Sequence, residues 1–280
     1  MEAMLPADGH VHTEWSWDCA LGHMAATCAR AASLGLPAVA FTEHLDFTVW
    51  TDVEPAPDAP AKVTGLIAED GTLTPPPLDV EGYLACLQRC RETFPDLVIL
   101  SGVEVGEPHW HRGKVTAVLA VGRFDRVLGS LHTLPLGAGR NEPPEHFARR
   151  PAADVVRDYL AEIPRLVAGF GDFEALAHID YVSRFWPEAA GPFDPADFEE
   201  EFRYAPAAVA AAGRILEVNT SRRPFPEIVR WWREAGGEVV TFGSDAHAPD
   251  AVGGGLAAAV DMVEAFGFRP GRHPYDRWYA

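Results

Sequence analysis

Short apolar runs alternate with amphipathic stretches along the chain. PAVAF (37–41), LVILSGVEV (97–105), FDRVLGSLH (124–132), FEALAHID (173–180), RILEVNT (214–220) and GEVVTFGSDAH (237–247) read as buried strands. The residues leading into His10 and His12 form one more. Apolar residues at helical spacing predict helices over about 21–34, 79–94, 110–121, 195–212, 224–235 and 248–266. A long helix follows Pro151, and Pro164 is expected to interrupt it. Residues 45–78 are rich in Pro, Asp and Thr and read as an irregular insertion, a common source of binding loops. About seven strand–helix units predict a parallel β/α barrel, one domain over residues 1–280, in preference to an open doubly wound sheet.

The preference for a barrel comes from where the polar residues fall. The strand candidates end in His10 and His12, Glu43 and His44, Ser130 and His132, His178 and Asp180, Asn219, and Asp245 and His247, with Glu104 inside another. A barrel brings such points together on its C-terminal face, where active sites form. The spacing of two in His10/His12, His178/Asp180 and Asp245/His247 sends both members of a pair to one side of a strand. Imidazole suits zinc, iron and manganese, and a carboxylate can bridge two ions. A lone His at a strand end ordinarily satisfies a local hydrogen bond. Recurrence at nearly every strand end has no such explanation and points to a polynuclear metal site.

Charge narrows the partners. The 280 residues carry 41 acidic against 23 basic side chains, a formal charge of -18. Non-specific binding to a nucleic-acid backbone or an anionic membrane is therefore not expected. No leader pattern and no membrane-spanning apolar run are evident, and four cysteines without a CxxC pair fit a reducing cytoplasm. Cys86 and Cys90, four apart in a helix, read as core packing.

The motifs resemble the polymerase-and-histidinol-phosphatase (PHP) family. The resemblance spans His10 to His247 and rests on DGHVHTEWSWD (8–18), TEH (42–44), GVE (102–104), GSLH (129–132), AHID (177–180) and GSDAH (243–247). It implies a distorted (β/α)7 barrel with two to three divalent ions of zinc, manganese or iron. Carried over by position, the first ion would take His10, His12, Glu104 and Asp245. The second would take Glu104, His132 and His178, so that Glu104 bridges, and the third Asp18, His44 and His247. Many relatives have histidine where this chain has Asp18. Glu104, Asp245 and His178 would be the catalytic residues. LEVNTS (216–221) is most similar to the histidinol-phosphate phosphatases of the family. The implied reaction is hydrolysis of a small phosphorylated metabolite, L-histidinol phosphate first, by a metal-bound hydroxide attacking phosphorus. Another phosphomonoester, a phosphodiester of a small nucleotide, and a non-catalytic metal-bound scaffold are the alternatives. Arg222, followed by Arg223, stands at the position after NTS where such enzymes often have glycine, and TLPLGAGR (133–140) also departs from the pattern.

Phosphate also calls for cations. Arg184, then Arg222 and Arg223, are the candidate substrate-binding residues, each just past a strand end. Glu43, Asp180 and Asp8 adjoin candidate ligands and are expected either to orient them or to form plain salt bridges. His109 and His111 reach substrate or belong to a surface loop, and Trp15 and Trp17 are candidates to line the pocket. His23, His146 and His273 read as structural.

Overall fold

The computed structural model describes residues 5–55, 59–273 and 277–280. Residues 56–58 of the expected insertion and 1–4 of the amino-terminal stretch read for a leader lie outside the described residues. Seven parallel strands form the centre: β1 (Asp8–Val11), β2 (Ala38–Leu45), β3 (Val98–Gly106), β4 (Arg126–Ser130), β5 (Ala175–Leu176), β6 (Ile215–Asn219) and β7 (Val239–Gly243). They pair in chain order, and helices over Met24–Ser33, Val80–Thr93, Arg112–Gly122, Ala152–Gly169, Glu199–Ala211, Pro226–Glu234 and Leu256–Ala265 separate or follow them. The sheet curls until β1 meets the end of β7, where His12 N donates to Ala246 O (2.9 Å) and Asp245 N to His10 O (2.8 Å). The expected distorted barrel is therefore present, but its seam closes at the upper end. Lower down, the edge of β7 pairs with Trp278–Tyr279 in antiparallel fashion.

Local sequence explains the elements that position the site. Asp79 caps the 80–93 helix by accepting from Gly82 N, and Tyr83, Leu87 and Cys90 bury one helical face. The Tyr83 hydroxyl donates to Phe41 O (2.7 Å) and accepts from Gly102 N (2.9 Å), tying that helix to β2 and β3. Pro164 does not interrupt its helix: Ala152–Gly169 is continuous. Val156, Leu160, Ile163 and Val167, all buried, hold both halves in one register against the core, which offsets the hydrogen bond that proline removes. FEALAHID is strand only at Ala175–Leu176, so His178 and Asp180 lie on the turn beyond it. Among the described residues, no helix is long and apolar enough to cross a membrane.

The 45–78 segment is irregular apart from a short helix at Ala61–Thr64 and bridges joining Leu73 to Trp50 and Ile67. It has a small core of its own, in which Trp50 and Leu73 pack on Trp17 of the loop after β1.

Candidate metal centre

The upper ends of most strands, and the turns that follow them, deliver side chains to one cavity of about 140 Å³, whose lining includes Asp18, His44, Glu104, His132, His178, Arg184, Asp245 and His247. His10 and His12 lie beneath it, both essentially inaccessible. Glu104 is central. Its Oε2 lies 3.2 Å from His10 Nε2 and 3.3 Å from His12 Nε2, and Asp245 Oδ1 lies 3.3 Å from His12 Nε2 and 3.6 Å from His10 Nε2. The two imidazole nitrogens are 3.0 Å apart. Donors about 2.0–2.2 Å from a tetrahedral zinc-like ion stand roughly 3.3–3.6 Å from one another; His10, His12 and Glu104 come close to that spacing as one group, and Asp245 joins His10 in an adjoining one.

The other oxygen of Glu104, Oε1, faces His132 Nε2 at 3.1 Å and His178 Nε2 at 2.6 Å. Asp18 Oδ2 lies 3.2 Å from His44 Nε2 and 3.3 Å from His247 Nε2. The groups interpenetrate, because His44 Nδ1 also approaches Glu104 Oε2 at 3.2 Å. Glu104 Oε2, His44 Nδ1 and Asp18 Oδ1 are buried without a hydrogen-bond partner. Orphaned acceptors at the meeting point of imidazoles and carboxylates suit divalent metal ions.

The protonation pattern agrees. Burial opposes charge on His10, yet Glu217, Glu104 and Asp245 hold its pKa well above the ordinary value. Burial likewise opposes charge on His44, but Asp18 and Glu104 lift it to about 10. Burial raises Glu104, but His10, His132 and His178 hold it well below the usual carboxylate range. Burial raises Asp245, but His10 and then Arg184 keep it low in the same way. Burial, with His44 and His247 nearby, depresses His12. Without a metal, protons therefore stand where cations fit.

Outer partners fix the rings. His10 Nδ1 donates to Glu217 Oε1 (2.7 Å), which leaves Nε2 as the nitrogen that would exchange its proton for a metal. Glu217 Oε2 accepts from His178 N (2.9 Å) and Asn219 Nδ2 (3.0 Å). Ser16 Oγ gives its only proton to Glu43 Oε2 (2.6 Å), so His12 Nδ1, 3.0 Å away, donates to it. Gly243 makes the crowding possible: a Cβ there would stand 2.3 Å from His10 Cβ and 2.4 Å from Glu217 Oε1. Glu107, held in the left-handed region (φ 43°), accepts from the backbone N–H of His132 (2.7 Å) and Thr133 (2.9 Å).

Arg184 reaches the cavity, with Nη1 2.7 Å from Asp245 Oδ2 and Nη2 3.0 Å from Asn219 Oδ1. Arg222 and Arg223 do not: both are exposed on the loop after β6 and neither lines the cavity. The strand rule fails beyond the strands. Asp180 turns away from the cavity to a shallow pocket beside Val218 and Phe225. Asp245 faces the site only because it adopts the left-handed region (φ 55°). Asp8 shares no ligand role with His10; it accepts from Ser244 N and Gly253 N, both at 2.8 Å. His109 pairs with Glu162 and His111 with Thr48, outside the cavity. Trp17 lines the cavity and Trp15 does not. His23 caps a helix and His146 bonds Leu134 O, both structural. Cys90 is buried in the main core with Cys28.

A curled parallel barrel that gathers six imidazoles and two further carboxylates around one buried glutamate defines the setting of a divalent-metal protein. The PHP domain model matches residues 8–221, and the chain belongs to that family. It is 30% identical to a probable histidinol-phosphatase of Deinococcus radiodurans, over 94% of each chain. It is 24% identical to a histidinol-phosphatase of Lactococcus lactis, covering 87% of this chain and 85% of that one. In structure it resembles the Lactococcus lactis histidinol phosphate phosphatase complexed with zinc, L-histidinol and phosphate. That match has a TM-score of 0.76, 21% identity and 94% of each chain covered. The hisK protein of Listeria monocytogenes, a putative histidinol phosphatase, superposes with a TM-score of 0.71 at 21% identity, covering 90% of this chain and 99% of that one.

Proposed function

We propose that this chain is a metal-dependent phosphomonoesterase that hydrolyses L-histidinol phosphate to L-histidinol and phosphate. The observation that carries the reading is Glu104, which turns one oxygen to His10 and His12 and the other to His132 and His178, with Arg184 above the same cavity. We assign His10, His12, Glu104 and Asp245 to a first divalent ion, Glu104, His132 and His178 to a second, and Asp18, His44 and His247 to a third. Zinc, manganese and iron all suit these donors. When bound, the ions supply Lewis acidity and lower the pKa of water enough for it to attack phosphorus.

The protein's own part is positioning and charge. Arg184 spends two of its five donors on Asp245 and Asn219 and keeps others for a phosphate oxygen. Asp245 fixes both that guanidinium and the first ligand set, so anion and metal are held in one register. Asp46 and Glu142 add two further carboxylates to the cavity wall, Glu142 accepting from the Tyr181 hydroxyl at 2.6 Å. An acidic wall favours a leaving group that carries an ammonium, as histidinol does, over an anionic nucleotide.

The test is turnover of a panel of phosphate monoesters and diesters by protein stripped of metal and reloaded with zinc, manganese or iron. Histidinol phosphate is expected to have the highest kcat/KM. His10→Ala combined with His12→Ala is expected to lose both metal content and hydrolysis. Turnover unchanged in that double variant, or confined to diesters, overturns the reading.

A further inference from the structure

The loop between β1 and the first helix carries Asp18, and its backbone has an unusual arrangement. The carbonyls of Glu14, Ser16 and Cys19 turn toward one point, and the Lys62 ammonium occupies it, donating at 3.2, 2.6 and 3.0 Å respectively. All three donors of the ammonium are thereby used. Lys62 comes from the short Ala61–Thr64 helix of the 45–78 segment. Its neighbours Val63, Leu66 and Ile67 pack on the Trp17–Trp50–Leu73 cluster, so the helix is seated where the ammonium needs it. Trp17 in turn donates to Asp46 Oδ2 at 2.8 Å.

We propose that Lys62 is a positioning residue that pins the 14–19 loop and so presents Asp18 to His44 and His247. This inference rests on the reading of those three residues as ligands of one ion. Three carbonyl dipoles and the carboxylate of Asp18 share one short loop, and without a cation they repel. The choice of lysine is chemically specific. The chain has 23 Lys and Arg residues, of which two, Lys62 and Lys114, are lysine. An ammonium caps three converging carbonyls, whereas the planar guanidinium fork does not. The 45–78 segment thus contributes to metal capture without supplying a ligand to that ion.

The experiment compares wild type with Lys62→Met, Lys62→Arg and, as control, Lys114→Ala. Each is stripped of metal and titrated with zinc. Ions per chain are counted by elemental analysis, and amide hydrogen exchange is followed over residues 14–19. Lys62→Met is expected to bind its weakest ion about 10–100-fold less tightly. Its loop amides are expected to exchange faster even without metal. Added propylammonium is expected to restore part of the loss; Lys62→Arg is expected to remain deficient, and Lys114→Ala to match wild type. A Lys62→Met protein equal to wild type in zinc binding and loop exchange overturns the pin alone. A wild type that takes up neither zinc nor, titrated in turn, manganese or iron overturns the phosphatase reading and the metal role of the pin together. A measurement on wild type needs no variant: with limiting acetic anhydride, Lys62 is expected to acetylate more slowly than Lys114. Equal rates would overturn the proposal.

Discussion

Replacing Glu217 by glutamine keeps the shape of the side chain and sets one proton against the whole first ligand group. Glu217 accepts at both oxygens: from His10 Nδ1 on one, and from His178 N and Asn219 Nδ2 on the other. Glutamine has one acceptor and one NH2, so either orientation turns a donor on a donor. The backbone N–H of His178 cannot change role, so the NH2 turns to His10 Nδ1. His10 must then accept there and carry its proton on Nε2, the nitrogen that faces Glu104 and Asp245. A lost charge-assisted hydrogen bond costs about 1.5–3 kcal/mol, and comparable changes behind metal ligands weaken binding about 10–100-fold. Both figures point to a first-ion Kd raised by one to two decades. A chelator-competition titration measures it. Glu217 is also a leading cause of the raised His10 pKa, and removing it eases proton competition at low pH. The deficit is therefore expected to widen as pH rises and only the tautomer effect remains. A Kd within twofold of wild type at high pH would refute the reasoning.

Arg184→Ala is expected to weaken inhibition by inorganic phosphate and lower kcat/KM for the phosphomonoester about 10–100-fold, the worth of one charged hydrogen-bonded contact; an unchanged phosphate inhibition constant would remove Arg184 from the anion site. Metal loading is expected to release protons at neutral pH, because His10 and His132 are held above their ordinary values and His44 at about 10. Calorimetry in buffers of different ionisation enthalpy reads that release, and the affinity falls as pH falls. In metal-free protein the sign for stability is opposite. The His44 ion pairs are at full strength below about pH 6.5 and are lost as pH rises through about 10. Thermal unfolding followed from neutral to alkaline pH is expected to show that loss.

Much of the site is legible in the sequence because barrel strands end on one face. His10, His12, His44, Glu104, His132, Asp245 and His247 stand at those ends, and proximity follows from topology. What was missed lies off that rule. Glu217 gave a signal, a carboxylate inside the apolar strand LEVN, where burial demands a partner. Asp46 gave less: it enters beside Gly106, where a Cβ would stand 2.2 Å from its Oδ1, and that approach is a property of three dimensions. Arg222 and Arg223 satisfied the same strand-end criterion as Arg184, yet the loop after β6 carries them to solvent. Periodicity of two misplaced Asp180 because β5 had already ended at Leu176.

The seam between β1 and β7 has a consequence for how the protein is made. The backbone bonds that close it, His12 to Ala246 and Asp245 to His10, flank the residues proposed for the first ion. Residues 10 and 245 emerge from the ribosome more than two hundred positions apart, so a nascent chain holds His10 and His12 long before Asp245 exists. Contacts of such long range form late. On the proposed assignment, metal acquisition at that position is expected to mark the last stage of maturation, and a chain truncated before Gly243 retains most of the strands while lacking Asp245 to finish the site.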